Sequence, residues 1–88
     1  MSSSNVEVFV NVFTKNSSKE EVKNLTLELK SLDGNCFGYA GKVTYPDGKV
    51  TEAAFGWSPT PPDEKVQEFL QEVRALFSGT VLVNGEKV

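Results

Sequence analysis

The residues able to do chemistry in this chain are few, and most are carboxylates. Glu20 adjoins Glu21, and Asp63 adjoins Glu64. Two carboxylates share acid and base roles when they face each other across a cleft. Here both pairs sit at expected helix starts, where capping and the helix dipole account for acids. Cys36 is the single cysteine. It would act as a nucleophile only beside a cation that holds the thiolate. It follows Asn35 at an expected strand start, where a small structural residue is the simpler reading. The absence of histidine removes the commonest general base, the commonest metal ligand and every Ser-His or Cys-His pair. One cysteine makes neither a zinc nor an iron–sulfur site. Gly34, Gly38, Gly41, Gly48 and Gly56 match neither phosphate-loop pattern. We therefore expect no catalytic residue, no metal and no cofactor.

The elements give a clearer signal. Val6, Val8, Val10 and Val12 alternate with Glu7, Phe9, Asn11 and Phe13, the period of a strand with a valine face. Ser17 and Ser18 precede Glu20 and Glu21 at capping-box spacing, and Val22, Leu25, Leu29 and Leu32 follow on one helical stripe. Leu25, Leu27 and Leu29 also alternate as a strand would. We take residues 18–32 as helix, because Leu, Glu and Lys favour it, with a strand as the alternative. Tyr45-Pro46-Asp47-Gly48-Lys49 predicts a hairpin with a three-residue loop. Its register places Val43 opposite Thr51, Tyr39 opposite Phe55 and Phe37 opposite Trp57 on one face. The other face pairs Thr44 with Val50, Lys42 with Glu52, Ala40 with Ala54 and Gly38 with Gly56. Past the stiff Ser58-Pro59-Thr60-Pro61-Pro62 connector, Val66, Phe69, Leu70, Val73, Leu76 and Phe77 form a helical stripe that Gly79 ends. Thr80 to Val83 reads as a strand, and Asn84-Gly85 turns it toward Glu86 and Val88.

The expected fold is α+β: a ferredoxin-like βαββαβ antiparallel sheet with two helices on one face. If residues 18–32 hold a strand, the alternative is a four-stranded meander with one helix and a final strand. At 88 residues the chain reads as one domain, 1–88, with a polar, disordered start at residues 1–4. Nine basic residues are outnumbered by twelve acidic ones, for a net charge of −3. That balance disfavours nucleic acid and anionic lipid, which rest on clustered Lys and Arg. A lone cysteine forms no intrachain disulfide, and there is no apolar leader or membrane-spanning run. An intracellular, cytoplasmic location is the expectation, and Asn16-Ser17-Ser18 and Asn24-Leu25-Thr26 are chance matches to a glycosylation acceptor.

With the aromatic hairpin face in the core, Gly38, Gly56, Ala40 and Ala54 look outward. On the strand reading, Phe9 and Phe13 point to the same side, with Asn11 between them. Two rings over bare backbone would make an apolar patch for a partner. The stretch Val8-Phe9-Val10-Asn11, followed by Ser18-Lys19-Glu20-Glu21-Val22-Lys23-Asn24-Leu25, resembles the opening of an RNA recognition motif. The resemblance implies a βαββαβ sheet that stacks bases on Phe9 and Phe55. Ala53 stands where a further aromatic belongs, and the basic residue that leads that motif is missing. The expected function is accordingly a non-catalytic protein-interaction module. It would dock by an open sheet face or edge onto another protein or a second copy of itself, through Phe9, Phe13, Asn11, Gly38, Ala40, Ala54 and Gly56. Single-stranded RNA or DNA binding is the alternative, and a small acidic inhibitor or a designed chain is a third.

Overall fold

The structure is a computed structural model that describes residues 5–34 and 37–88. The start Met1–Ser4, expected to be disordered, lies outside the described residues, as does Cys36. In chain order the elements are helix α1 (Asn5–Thr14), the one-turn helix α2 (Lys19–Val22), strands β1 (Thr26–Ser31), β2 (Phe37–Thr44) and β3 (Val50–Trp57), helix α3 (Asp63–Leu76), and strands β4 (Thr80–Val83) and β5 (Glu86–Lys87). The strands form one sheet in the order β3-β2-β1-β4-β5. Neighbours are antiparallel except β1 and β4, which run parallel. The protein is thus mixed α+β, but neither its opening helix nor its strand order reproduces the expected βαββαβ arrangement.

The first correction is α1. Val6, Phe9, Val10 and Phe13 are its buried residues, and they recur at i, i+3, i+4 and i+7, the stripe of an amphipathic helix. A strand would have placed the valines and the phenylalanines on opposite faces. A helix buries both kinds against one surface and leaves Val8 outside, 59% exposed. Tertiary burial therefore overrides the strand preference of the valines.

The second correction is the segment expected as one helix over 18–32. The helix starts as expected, with a capping box: the Glu21 N–H donates to Ser18 Oγ at 3.2 Å and the Ser18 N–H to Glu21 Oε1 at 2.8 Å. The backbone bond from Ser18, then its side-chain bond, hold the Glu21 carboxyl below its ordinary pKa. A depressed carboxylate pKa makes this cap a contribution that is lost as pH falls through the lowered value. The helix stops after one turn, and the chain enters β1, where Leu27 and Leu29 are fully buried while Glu28 and Lys30 face outward. As a strand, this segment takes the sheet's central position between β2 and β4.

The remaining elements follow the sequence. The β2–β3 register pairs Phe37 with Trp57, Tyr39 with Phe55, Lys42 with Glu52 and Thr44 with Val50, as expected. Its loop is closed by the Tyr45 N–H donating to the Lys49 carbonyl at 2.8 Å, with Gly48 at φ 90°. Helix α3 buries Phe69 and Val73, and Phe77 caps it in the core; Leu76, expected on that stripe, is 41% exposed. At the β4–β5 turn, Asn84 (φ 51°) and Gly85 (φ 87°) both take left-handed backbone, as a type I′ hairpin requires.

Asn84 does more than turn the chain. Its Oδ1 accepts from the Ser31 N–H, its Nδ2 donates to Ser31 Oγ, and its own N–H donates to the Leu29 carbonyl at 2.8 Å. The turn is thereby stitched to the end of β1. Asn84→Ala loses both side-chain bonds and leaves alanine at positive φ, so it is expected to cost about 1–2 kcal/mol in urea unfolding. Asn84→Gly should recover the backbone part only.

α1 and α3 lie on one side of the sheet. Phe9 packs on Phe55 at 5.7 Å and on Phe69 at 5.9 Å between ring centres, and Phe69 stacks on Tyr39 at 5.7 Å. Gly41 makes room for this layer, since a Cβ there would lie 2.8 Å from Phe13 Cζ and 3.0 Å from Phe9 Cζ. The Tyr45 hydroxyl donates to the Phe13 carbonyl at 3.0 Å, tying the end of α1 to the hairpin.

Candidate functional site

The other side of the sheet carries no helix among the described residues. Its side chains follow from strand alternation: Glu28 and Lys30 from β1, Gly38, Ala40, Lys42 and Thr44 from β2, Val50, Glu52, Ala54 and Gly56 from β3. Two properties stand out. Across the middle, Glu28, Lys42 and Glu52 stand directly opposite one another, a row of alternating charge that favours this register. Toward one end, Ala40 pairs with Ala54 and Gly38 with Gly56, so the strand side chains there are small, and the Leu32 side chain lies over the buried Gly38. Gly38 is required there: a Cβ would run into the Phe55 carbonyl and lie 2.7 Å from Gly56 Cα.

Four of the expected site residues, Gly38, Ala40, Ala54 and Gly56, therefore share this outer face as expected. Three do not join them. Phe9 and Phe13 belong to α1 on the opposite side and are core residues, 5% and 0% exposed. Asn11 is exposed, on the same helix and away from the outer face. The two phenylalanines are not anchors for a partner, because the element that carries them is a helix and both rings turn inward. The same correction removes the nucleobase platform implied by resemblance to an RNA recognition motif. Val8-Phe9-Val10-Asn11 is helical, and Phe9 and Phe55 both pack on Phe69.

Sequence reasoning expected docking by a sheet face or edge, but it did not identify which strand forms the edge. β3 is an eight-residue strand at the end of the strand order. Tyr45 and Lys49 are a hydrogen-bonded pair, and in an antiparallel ladder such pairs alternate. The main chains of Thr51, Ala53, Phe55 and Trp57 thus point to β2. Those of Val50, Glu52, Ala54 and Gly56 point away from the sheet, and no strand among the described residues meets them. Edges of this kind are usually blunted by Lys, Pro or brevity. β5, at the opposite edge, has two residues and both are charged. β3 has neither Lys nor Pro, and Glu52 is its only charge.

Two grooves lie elsewhere among the described residues. One, of about 610 Å³, runs between the start of α2 and the β2–β3 loop. Three of its polar side chains already serve the fold: Asp47 Oδ1 accepts from the Lys49 N–H, Glu21 caps α2, and the Tyr45 hydroxyl donates to the Phe13 carbonyl. The other, about 340 Å³, gathers Lys23, Arg74 and Lys87 beside Gly79, with Lys23 already 3.5 Å from Glu20. No set of three His, Cys, Asp or Glu side chains among the described residues is placed to hold a metal. No helix among them is long and apolar enough to cross a membrane. No protein-family model matches the chain, and no curated protein or solved structure matches it.

Proposed function

We propose that the protein is a non-catalytic interaction module that docks other polypeptide through the β3 side of its sheet. The observation that carries this reading is the eight-residue edge, where the main-chain groups of Val50, Glu52, Ala54 and Gly56 point away from β2 and three of the flanking outer side chains, at Ala40, Ala54 and Gly56, are small. An extended partner strand adds to such an edge by main-chain hydrogen bonds, and small neighbouring side chains let it approach closely. The acidic balance of the chain favours partners that are not themselves strongly acidic.

Photo-crosslinking in the cell of origin tests this directly. A photoreactive residue at Ala40 or Ala54 is expected to yield discrete protein adducts, while the same residue at Gln67, exposed on α3, yields none. Equal labelling from all three positions, or from none, would contradict the reading.

A further inference from the structure

We infer that the free edge of β3 takes the β3 of a second copy, antiparallel, about a two-fold axis beside Ala53. The inference rests on the docking reading above and names its partner. Self-pairing of an antiparallel edge joins outward residues to outward residues, and few registers achieve this. With the axis at Glu52, the two Glu52 carboxylates stand directly opposite, which is unfavourable. With the axis at Ala54, Val50 falls opposite Ser58, beyond the end of β3. With the axis at Ala53, every outward residue finds a partner inside the strand: Glu52 meets Ala54 of the second copy, and Val50 meets Gly56.

The side chains agree with that register on both faces. Outside, Val50 lies over the bare backbone of Gly56. The two Glu52 side chains stand only diagonal to each other, and each already faces Lys42 across its own sheet. On the core side, Thr51 comes beside Phe55 and Lys49 beside Trp57. Phe55 and Trp57 are only half-buried in one copy although they pack on Phe69 at 4.7 and 5.2 Å. The Lys49 stem and ammonium would cover the indole with a cation–π contact. The interface joins two five-stranded sheets into one.

Sedimentation equilibrium from micromolar to millimolar concentration, with isotope-filtered NMR on mixed labelled and unlabelled chains, tests the inference. The expected result is a dimer with a cross-copy contact between the α-protons of Thr51 and Phe55. Ala54→Pro removes an outward donor twice per dimer and should weaken association about 100-fold. Because proline also perturbs the strand itself, a charge pair supplies a second readout. Ala54→Glu faces Glu52 and should weaken the dimer about tenfold, whereas Ala54→Lys should leave it as tight or tighter. A dimer in which both charges act alike, or whose contacts lie on the outer face, overturns this register and keeps the docking reading. A monomer at millimolar concentration whose position 54 still crosslinks to a different protein overturns self-pairing alone. A monomer without adducts overturns both.

Discussion

Phe13→Ala is expected to lower the unfolding free energy by about 3–5 kcal/mol, against a total of about 5–15 kcal/mol for a small domain. Phe13 is fully buried, its ring meets Phe9 edge-on at 5.2 Å, and it fills the space over Gly41. Alanine removes the ring and leaves a cavity between α1 and the sheet. The urea midpoint, at an unchanged slope, measures the loss. Gly41→Ala adds a diagnostic. Alone, it should cost about 1–3 kcal/mol, since its Cβ would crowd Phe13 and Phe9. In the Phe13→Ala background the same methyl enters the cavity and should cost much less. A coupling of about 0.5–3 kcal/mol between the two sites would show that they share that space. Simple additivity would place Phe13 elsewhere.

Phe69→Ala should cost as much or more. The ring sits among four others: Phe55 at 4.7 Å, Trp57 at 5.2 Å, Tyr39 at 5.7 Å and Phe9 at 5.9 Å. Each such pair adds about 0.5–1.5 kcal/mol beyond burial, so the loss should reach the upper part of the 3–5 kcal/mol range for Phe→Ala. Phe69 is also the residue through which α3 holds the β3 side of the core. Trp57 fluorescence should therefore shift to the red in the variant even where it remains folded. Val8→Ala, at an exposed position of α1, should be nearly neutral and serves as the control. A Phe69→Ala chain as stable as the parent, with unchanged Trp57 emission, would contradict this packing.

The parts of the fold legible in the sequence were those set by local chemistry. Pro46-Asp47-Gly48 determined the hairpin loop, and the loop determined every pair from Thr44↔Val50 to Phe37↔Trp57. Asn84-Gly85 worked in the same way, as did the Val66–Phe77 stripe apart from Leu76, which is exposed. The first element failed because Val6–Phe13 satisfies two periods at once. The discriminating signal was present: the strand reading left Phe9 and Phe13 without burial, while the helical stripe Val6-Phe9-Val10-Phe13 buries both. Residues 18–32 failed through propensity, since Leu27 and Leu29 gain more as the centre of a sheet than as a continued helix.

The same division holds for the surface. Hairpin parity placed Gly38, Ala40, Ala54 and Gly56 together on the outer face. The misread first element brought Phe9, Phe13 and Asn11 to them wrongly. That β3 ends the sheet was not legible, because it depends on β1 pairing with β4 in parallel, across more than half the sequence. Only the assembled strand order leaves Val50, Glu52, Ala54 and Gly56 without a paired strand among the described residues.

Amide hydrogen exchange, read residue by residue at micromolar and millimolar concentration, tests the role of that edge most directly. The amides of Thr51, Ala53 and Phe55, bonded to β2, should be protected at both concentrations. Those of Val50, Glu52, Ala54 and Gly56 should exchange freely in dilute solution and become protected as concentration rises. Free exchange of these four amides at both concentrations would contradict pairing through β3, and protection of all four at a concentration where sedimentation shows a monomer would mean that β3 is not an edge.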